Sequence, residues 1–356
     1  MFAQTPPGAA RLAPSQLVVA VEDKTAFVCL PLTIADRLGY FSVEGVALDI
    51  KEFFDQGAAM AAVQSGAAHV FSGAFASLLV QPAQGANLAS LLVQGVAPQI
   101  VFGVSQRTMK GLQTARELRG RRIGVVALGS DSHRVARLVL NSGGLSEQDV
   151  RYLAMPNPAS AQDAFLSGEI DALAYHDPLM TRLEQSGALR TLVDTRTVRG
   201  TQELFGGPLP SSCLAAKSAW LAAHPHLSQS TANAMVRALK WLRTAGPSDI
   251  NKVVPEPYFQ GDRALYLAAF ERSRETWASD GVMPETGPMT VAKMLAKLGG
   301  KPPVSADSLL STFTNQFALK AKGRFRAEAG APHLAAWPSS RGNWPVALDS
   351  LQNQAG

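Results

Sequence analysis

Two separate segments of this chain run the same course. AAVQSGAAHVFSG (61–73) and DAFLSGEIDALAYHD (163–177) each read as the end of a helix, a Ser-Gly stop, a short apolar strand and a polar turn. Strand and helix patterns alternate around both. In the first half they are LVVAV (17–21), a helical spacing through Leu30, Ile34, Ala35 and Leu38 closed by Gly39, VALDIKEF (46–53), GAAMAAVQSG (57–66), HVFSG (69–73) and FASLLVQPAQG (75–85). After Arg107 the order restarts with RRIGVVA (121–127), SHRVARLVLNSGG (132–144), VRYLAM (150–155), ASAQDAFLSG (159–168) and IDALAYH (170–176). A strand–helix–strand rhythm puts strands in parallel with helices on their faces, and its repetition predicts two similar α/β lobes.

From about residue 216 the spacing turns helical, through SAWLAAHPHL, QSTANAMVRALKWLRTA, DRALYLAAFERSRETWAS and MTVAKMLAKLGG. The last stretch, 320–356, carries Pro, Gly and polar residues with scattered Trp and is expected to be an irregular tail. Apolar runs are cut by Gly, Pro or charge well short of the roughly 20 residues a membrane helix needs. A formal charge of +5 spread along 356 residues, with 7% aromatics, argues against a nucleic-acid surface. Cys29 and Cys213 are far apart, and the six histidines show no ligand spacing, so neither a disulfide framework nor a metal or other cofactor is expected. His224 and His226, flanking Pro225, read as surface residues. MFAQTPPG at the start reads as the remnant of a cleaved export signal, which implies a periplasmic protein.

Four segments together carry a resemblance: PLTIADRLGYFSVEGVALDIKEF (31–53), AMAAVQSGAAHVFSGAFASLLV (59–80), KGLQTARELRGRRIGVVALGSDSHRVAR (110–137) and AFLSGEIDALAYHDPLMTRL (164–183). Gly-Tyr-Phe followed by Glu-Gly, the paired Ser-Gly stops, Leu-Arg-Gly-Arg-Arg-Ile-Gly and an acid-Pro pair are its markers. The chain resembles the NMT1/THI5-like periplasmic substrate-binding proteins of ABC importers for nitrate, sulfonate, taurine and thiamine-precursor pyrimidines. The resemblance implies a two-lobed periplasmic-binding-protein fold of type II, each lobe a mixed, mostly parallel sheet flanked by helices, joined by two crossovers. These are expected near Gly103-Val104-Ser105 and between Gly206 and Ser212, so that 1–16 is a lead-in, 17–104 plus 206–319 form lobe I, and 105–205 form lobe II. It further implies a monomer that closes on a small anionic or polar ligand and delivers it to a membrane permease.

In open α/β sheets ligands sit beyond the carboxyl ends of the strands. Gly129-Ser130-Asp131-Ser132-His133 follows such an end, so Gly129, Ser130, Ser132 and His133 are candidates to hold the oxygens of an anion; alternatively Ser130 or Asp131 simply caps a helix. Asp131 must then point away or pair with His133 or Arg134. The matching turn of the first lobe offers Ser72, Gly73, Phe75 as a wall, and Ser77, against tight strand–helix packing as the alternative. After the first strand come Asp23, Lys24, Thr25 and Phe27, with Lys24 either a charge for an anion or a solvated lysine. The resemblance adds Tyr175, His176 and Asp177, the last to bond a ligand amine or cap a helix, and Ser211 with Ser212 in the return crossover. No G-x-S-x-G, H-E-x-x-H or Walker pattern is present, so a binding protein is expected rather than an enzyme. The alternatives are a desulfinase or pyrimidine synthase on the same scaffold, for which Cys29 falls about three residues out of place, and a sensor that presents its closed form to a receptor.

Overall fold

The strands of this chain sort into two sheets of one design. The structure, a computed structural model, describes residues 15–80, 87–301 and 305–330. β1 (Ser15–Val21), β2 (Val46–Glu52), β3 (Val70–Ala74) and β4 (Leu88–Gly95) belong to the first sheet. β5 (Ile100–Ser105), β6 (Arg122–Val125), β7 (Arg151–Ala154), β8 (Ala172–His176) and β9 (Leu189–Asp194) make the second, and β10 (Ser212–Lys217) returns to the first. The orders are β2-β1-β3-β10-β4 and β7-β6-β8-β5-β9. In each, three parallel strands are followed by one antiparallel strand that has just crossed from the other lobe.

The repeated Ser-Gly explains itself locally. Helices Gln56–Ser65 and Pro158–Ser167 both end on a left-handed glycine, Gly66 at φ 89° and Gly168 at φ 81°. Only glycine adopts that conformation without a Cβ penalty. In both, the serine hydroxyl donates back to a carbonyl three residues earlier, Ser65 to Ala62 and Ser167 to Ala164.

Three expectations need correction. Gly103-Val104-Ser105 lies inside β5, so the chain changes sheets at 96–99, and it leaves the second sheet after Asp194 to reach β10 at Ser212 by way of helix Val198–Phe205. β4, β5 and β10 escape the sequence reading because most of their residues are buried in continuous runs, without the alternation that marks a half-buried strand; β9, LRTLVD, is only partly buried beyond Leu189 and carries no alternating pattern either. The segment 320–330 is helical, not irregular: helix Gln316–Gly330 buries Phe317, Ala321 and Phe325, a four-residue stripe. The remainder of the expected tail, the lead-in through residue 14, and the 81–85 end of the helix read over 75–85 fall outside the described residues; the described helix there is Phe75–Leu79.

One large core fills the first lobe, reaching from β1 to Phe325. The second sheet has a core on each face: Ile100, Phe102 and Val104 point to one, Val101 to the other. Leu138, from the second lobe's helix Asp131–Ser142, is buried in the first lobe's core. The guanidinium of Arg137 on the same helix donates to the Leu298 carbonyl at 2.7 Å. At another point of contact between the lobes Glu184 pairs with Arg272, and the Val198 N–H donates to Glu275 at 2.8 Å. The lobes are therefore drawn together over the space between them.

Candidate functional site

The helix starts that follow β3 and β6, and the end of β8 with the helix start after it, line the space between the lobes. A narrow crevice of about 10 Å³ lies between Ala76 and Val291 of the first lobe, Asp131 and Arg134 of the second, and Pro98 and Ser211 of the crossings. A wider cavity of about 210 Å³ opens where Gln162, His176 and Arg182 meet Gln260.

The turn after β6 closes on itself. The Ser130 hydroxyl donates to the Ala127 carbonyl at 2.7 Å and accepts from the His133 N–H at 3.4 Å, which makes it the helix cap. Ser132, 1% exposed, accepts from the Val126 N–H at 2.9 Å and lies 2.8 Å from Ser130. Gly129, at φ 84°, donates its N–H to His133 Nδ1 at 2.9 Å. Asp131 pairs with Arg134 at 2.7 Å. The capping reading accounts for all of these groups, and the hydroxyls expected to meet an anion are taken up by backbone.

His133 is packed edge-on against Tyr152, ring centroids 4.5 Å apart. Burial, ahead of the nearby Arg137 and Arg134, lowers its pKa despite the opposing pull of Glu147. His69 is lowered as well, first by burial, and its Nδ1 likewise accepts a backbone N–H, from Val18 at 3.0 Å. Both rings are thus held neutral. Unfolded imidazoles take protons near pH 6.5 while these resist to lower pH, so the unfolded state binds more protons as pH falls. The stability these rings contribute is present above about pH 6.5 and is lost on going down from there. The melting temperature is expected to drop between pH 7 and 5, with a shallower slope in His133→Asn, which keeps an acceptor but cannot titrate. An equal slope in that variant would remove His133 from the account.

After β1, Asp23 accepts from the Thr25 N–H and hydroxyl at 2.8 and 2.7 Å, a self-contained turn. Lys24 is not free for an anion: its Nζ lies 2.7 Å from Glu52. Phe27 is buried, set edge-on to Tyr266 at 4.8 Å, and its carbonyl accepts from Trp277 Nε1 at 3.1 Å. Within β3, Ser72 is buried and accepts from Gln94 at 3.0 Å, while a side chain at Gly73 would strike the Phe71 ring. Phe75 is fully buried, and Ser77 is partly buried within helix Phe75–Leu79.

At the end of β8, Tyr175 is core, its hydroxyl donating to Met155 O at 2.8 Å. Asp177 accepts from the Thr181 N–H at 2.8 Å and pairs with buried Arg196 at 3.2 Å, so its carboxylate caps and anchors. His176, half-buried, lines the wider cavity, and Ser211 lines the crevice while donating to Ala97 O at 2.6 Å. Of the sequence candidates, then, His176, Asp177 and Ser211 line the interlobe cavities; the others serve turns and core. Arg134, Gln162, Arg182 and Gln260 line them too and had no ligand role in the sequence reading. For Gln260 no local signal exists, since it reaches the cavity from a helical region remote in sequence.

Cys29 is buried, and burial pushes its thiol up to about 12, with a hydrogen bond from Ser72 opposing. A thiol so placed is not a thiolate nucleophile at neutral pH. Among the described residues there is no group of three or more His, Cys, Asp or Glu placed to hold a metal, and no helix long and apolar enough to cross a membrane.

The family model described as NMT1/THI5 like matches residues 26–246. A solved structure from Bordetella bronchiseptica RB50 is 39% identical, covering 88% of this chain and 99% of its own, with a TM-score of 0.78. The alkanesulfonate-binding protein SsuA from Xanthomonas axonopodis pv. citri, bound to MOPS, is 21% identical over 86% of this chain and 100% of its own, TM-score 0.63. The periplasmic nitrate-binding protein NrtA from Synechocystis PCC 6803 is 12% identical over 89% and 90%, TM-score 0.65. The desulfurization enzyme DSZB shares the fold as well, at 20% identity over 88% and 100%, TM-score 0.58. No curated protein matches the chain.

Proposed function

This chain belongs to the NMT1/THI5-like family, and on that premise we propose that it is the solute-binding component of an ABC importer. It works in the periplasm as a monomer, captures a small polar organic solute between its lobes and hands it to a membrane permease. The observation that carries the reading is the pair of like-built sheets joined by two crossings, with a crevice and a wider cavity at the carboxyl ends of their strands. The lobes divide at those crossings. A solute bridging them binds the closed form better than the open one, and that difference in affinity drives closure.

An enzymatic role on this scaffold, the second reading that the desulfurization enzyme brings, calls for a nucleophile or an acid–base pair in the cleft. The buried, protonated Cys29 does not supply one. Thermal-shift screening against alkyl and aryl sulfonates, nitrate, carboxylates, amines and hydroxymethylpyrimidines is the test, followed by calorimetry and small-angle scattering. One class is expected to stabilise saturably, by about 2.7 kcal/mol at a hundred times its Kd, to shrink the particle, and to be recovered unchanged. A hit consumed during incubation would replace the binding reading with catalysis.

A further inference from the structure

We infer that Gln99 is the pivot on which the lobes turn, and that its strained backbone biases the solute-free protein toward separated lobes. The inference rests on the solute-binding reading above and concerns how closure of that cleft is regulated.

The crossing at 96–99 is clamped at both ends and free in the middle. On the first-lobe side Ser211, just ahead of β10, donates its N–H to the Gly95 carbonyl at 2.9 Å and its hydroxyl to the Ala97 carbonyl at 2.6 Å. On the second-lobe side Thr195, just after β9, donates its N–H to the Ile100 carbonyl at 2.9 Å, while its hydroxyl accepts from the Ile100 N–H at 2.9 Å. Pro98 and Gln99 are what lies between the two clamps. The pyrrolidine ring fixes φ at Pro98. A rotation of one lobe against the other at this crossing therefore falls on ψ of Pro98 and on the backbone of Gln99.

Gln99 stands at φ 59°, in the left-handed region that a residue with a Cβ enters at a cost. It is 4% exposed, and its Oε1 is buried without a hydrogen-bond partner among the described residues. Its other bonds pull toward different lobes. The side-chain Nε2 donates to Thr276 Oγ1 at 2.7 Å, and Thr276 is tied to the first lobe by accepting the Val96 N–H at 2.7 Å. The backbone N–H of Gln99 donates instead to the Thr195 carbonyl of the second lobe, at 3.3 Å. A left-handed backbone and a bare acceptor at one buried residue both disfavour the arrangement in which the lobes touch. Contacts across the gap oppose them, Leu138 in the first lobe's core and Arg137 on the Leu298 carbonyl. Turning the lobes apart lets Gln99 return to the extended region and brings its Oε1 to water, so a solute has to outweigh that relief before the cleft shuts.

Two variants separate the strain from the side-chain bond. Gln99→Ala and Gln99→Gly both lose the bond to Thr276, but only the glycine takes the left-handed backbone freely. The readout is lobe separation in solute-free protein, by electron paramagnetic resonance between spin labels on Phe54→Cys and Leu128→Cys. These are exposed positions beyond β2 and β6, in a chain whose own cysteines are buried. The ratio of touching to separated lobes is expected to be about five- to thirtyfold higher in Gln99→Gly than in Gln99→Ala, which is what the left-handed region costs a residue with a Cβ. A backbone that stays left-handed in both arrangements would raise the melting temperature of Gln99→Gly above that of Gln99→Ala and leave the label distances alike. An equal or reversed ratio therefore overturns the inference, whatever the melting temperatures, and leaves the solute-binding reading standing. That reading falls separately, if no compound of the thermal-shift screen binds.

Discussion

Arg196→Ala is expected to destabilise the fold by about 3–5 kcal/mol, the usual consequence of stripping the partner from a buried charge. Arg196 is 1% exposed and makes more charged contacts than any other side chain among the described residues. Its guanidinium donates to Asp194 at 2.9 and 2.7 Å, to Asp177 at 3.3 and 3.2 Å, to Glu184 at 2.9 and 3.0 Å, and to the Thr181 hydroxyl at 3.1 Å. Without it the Asp177 carboxylate, equally buried, keeps only the Thr181 N–H. Urea unfolding followed by circular dichroism measures the loss. Arg196→Met combined with Asp177→Asn should recover part of it, since the worst unpaired charge leaves with its partner. A loss under about 1 kcal/mol in Arg196→Ala would mean that water reaches the site and that the cluster is not the buried anchor described here. The cluster also bears on closure: Glu184 is shared with Arg272 of the first lobe, so the variant loosens the contact between helices Leu179–Gln185 and Arg263–Ser273 as well.

How much of this was legible in the sequence depended on whether the signal was local. The Ser-Gly stops were legible because each glycine's left-handed conformation is set by its own helix end. The parallel core of each sheet followed from alternating patterns on either side of those stops. β4, β5 and β10 were not legible, since burial on both faces erases the alternation that marks a strand, and β9, LRTLVD, has no alternation to read. The turn at 129–133 was found as a strand end running into a helix, but whether Ser130 and Ser132 face a ligand or their own backbone is a matter of rotamers, which no spacing encodes. Lys24 shows the same limit, because its partner Glu52 lies 28 positions away on the neighbouring strand.

Phe75→Ala is expected to cost about 3–5 kcal/mol, as truncations of buried aromatic side chains do. The sequence offers Phe75 as a wall for the ligand, in which case its loss would weaken binding and spare the fold. The structure gives the ring no exposure and places it in the first lobe's core, at the start of helix Phe75–Leu79. Its backbone N–H donates to the Ser211 carbonyl at 3.0 Å, which ties the end of β3 to the return crossing. Truncation leaves a void where that crossing meets the first sheet, so the melting temperature should fall sharply, and any change in affinity should follow from the lost fold. Phe75→Leu separates the two roles. A leucine fills most of the volume at a cost of about 1.5 kcal/mol or less, and a core residue so replaced leaves solute affinity within a few-fold of wild type. A binding wall would not survive the exchange: near-normal stability with a tenfold or greater loss of affinity in Phe75→Leu would return the ring to the ligand and show that the crevice opens deeper into the first lobe than its present lining.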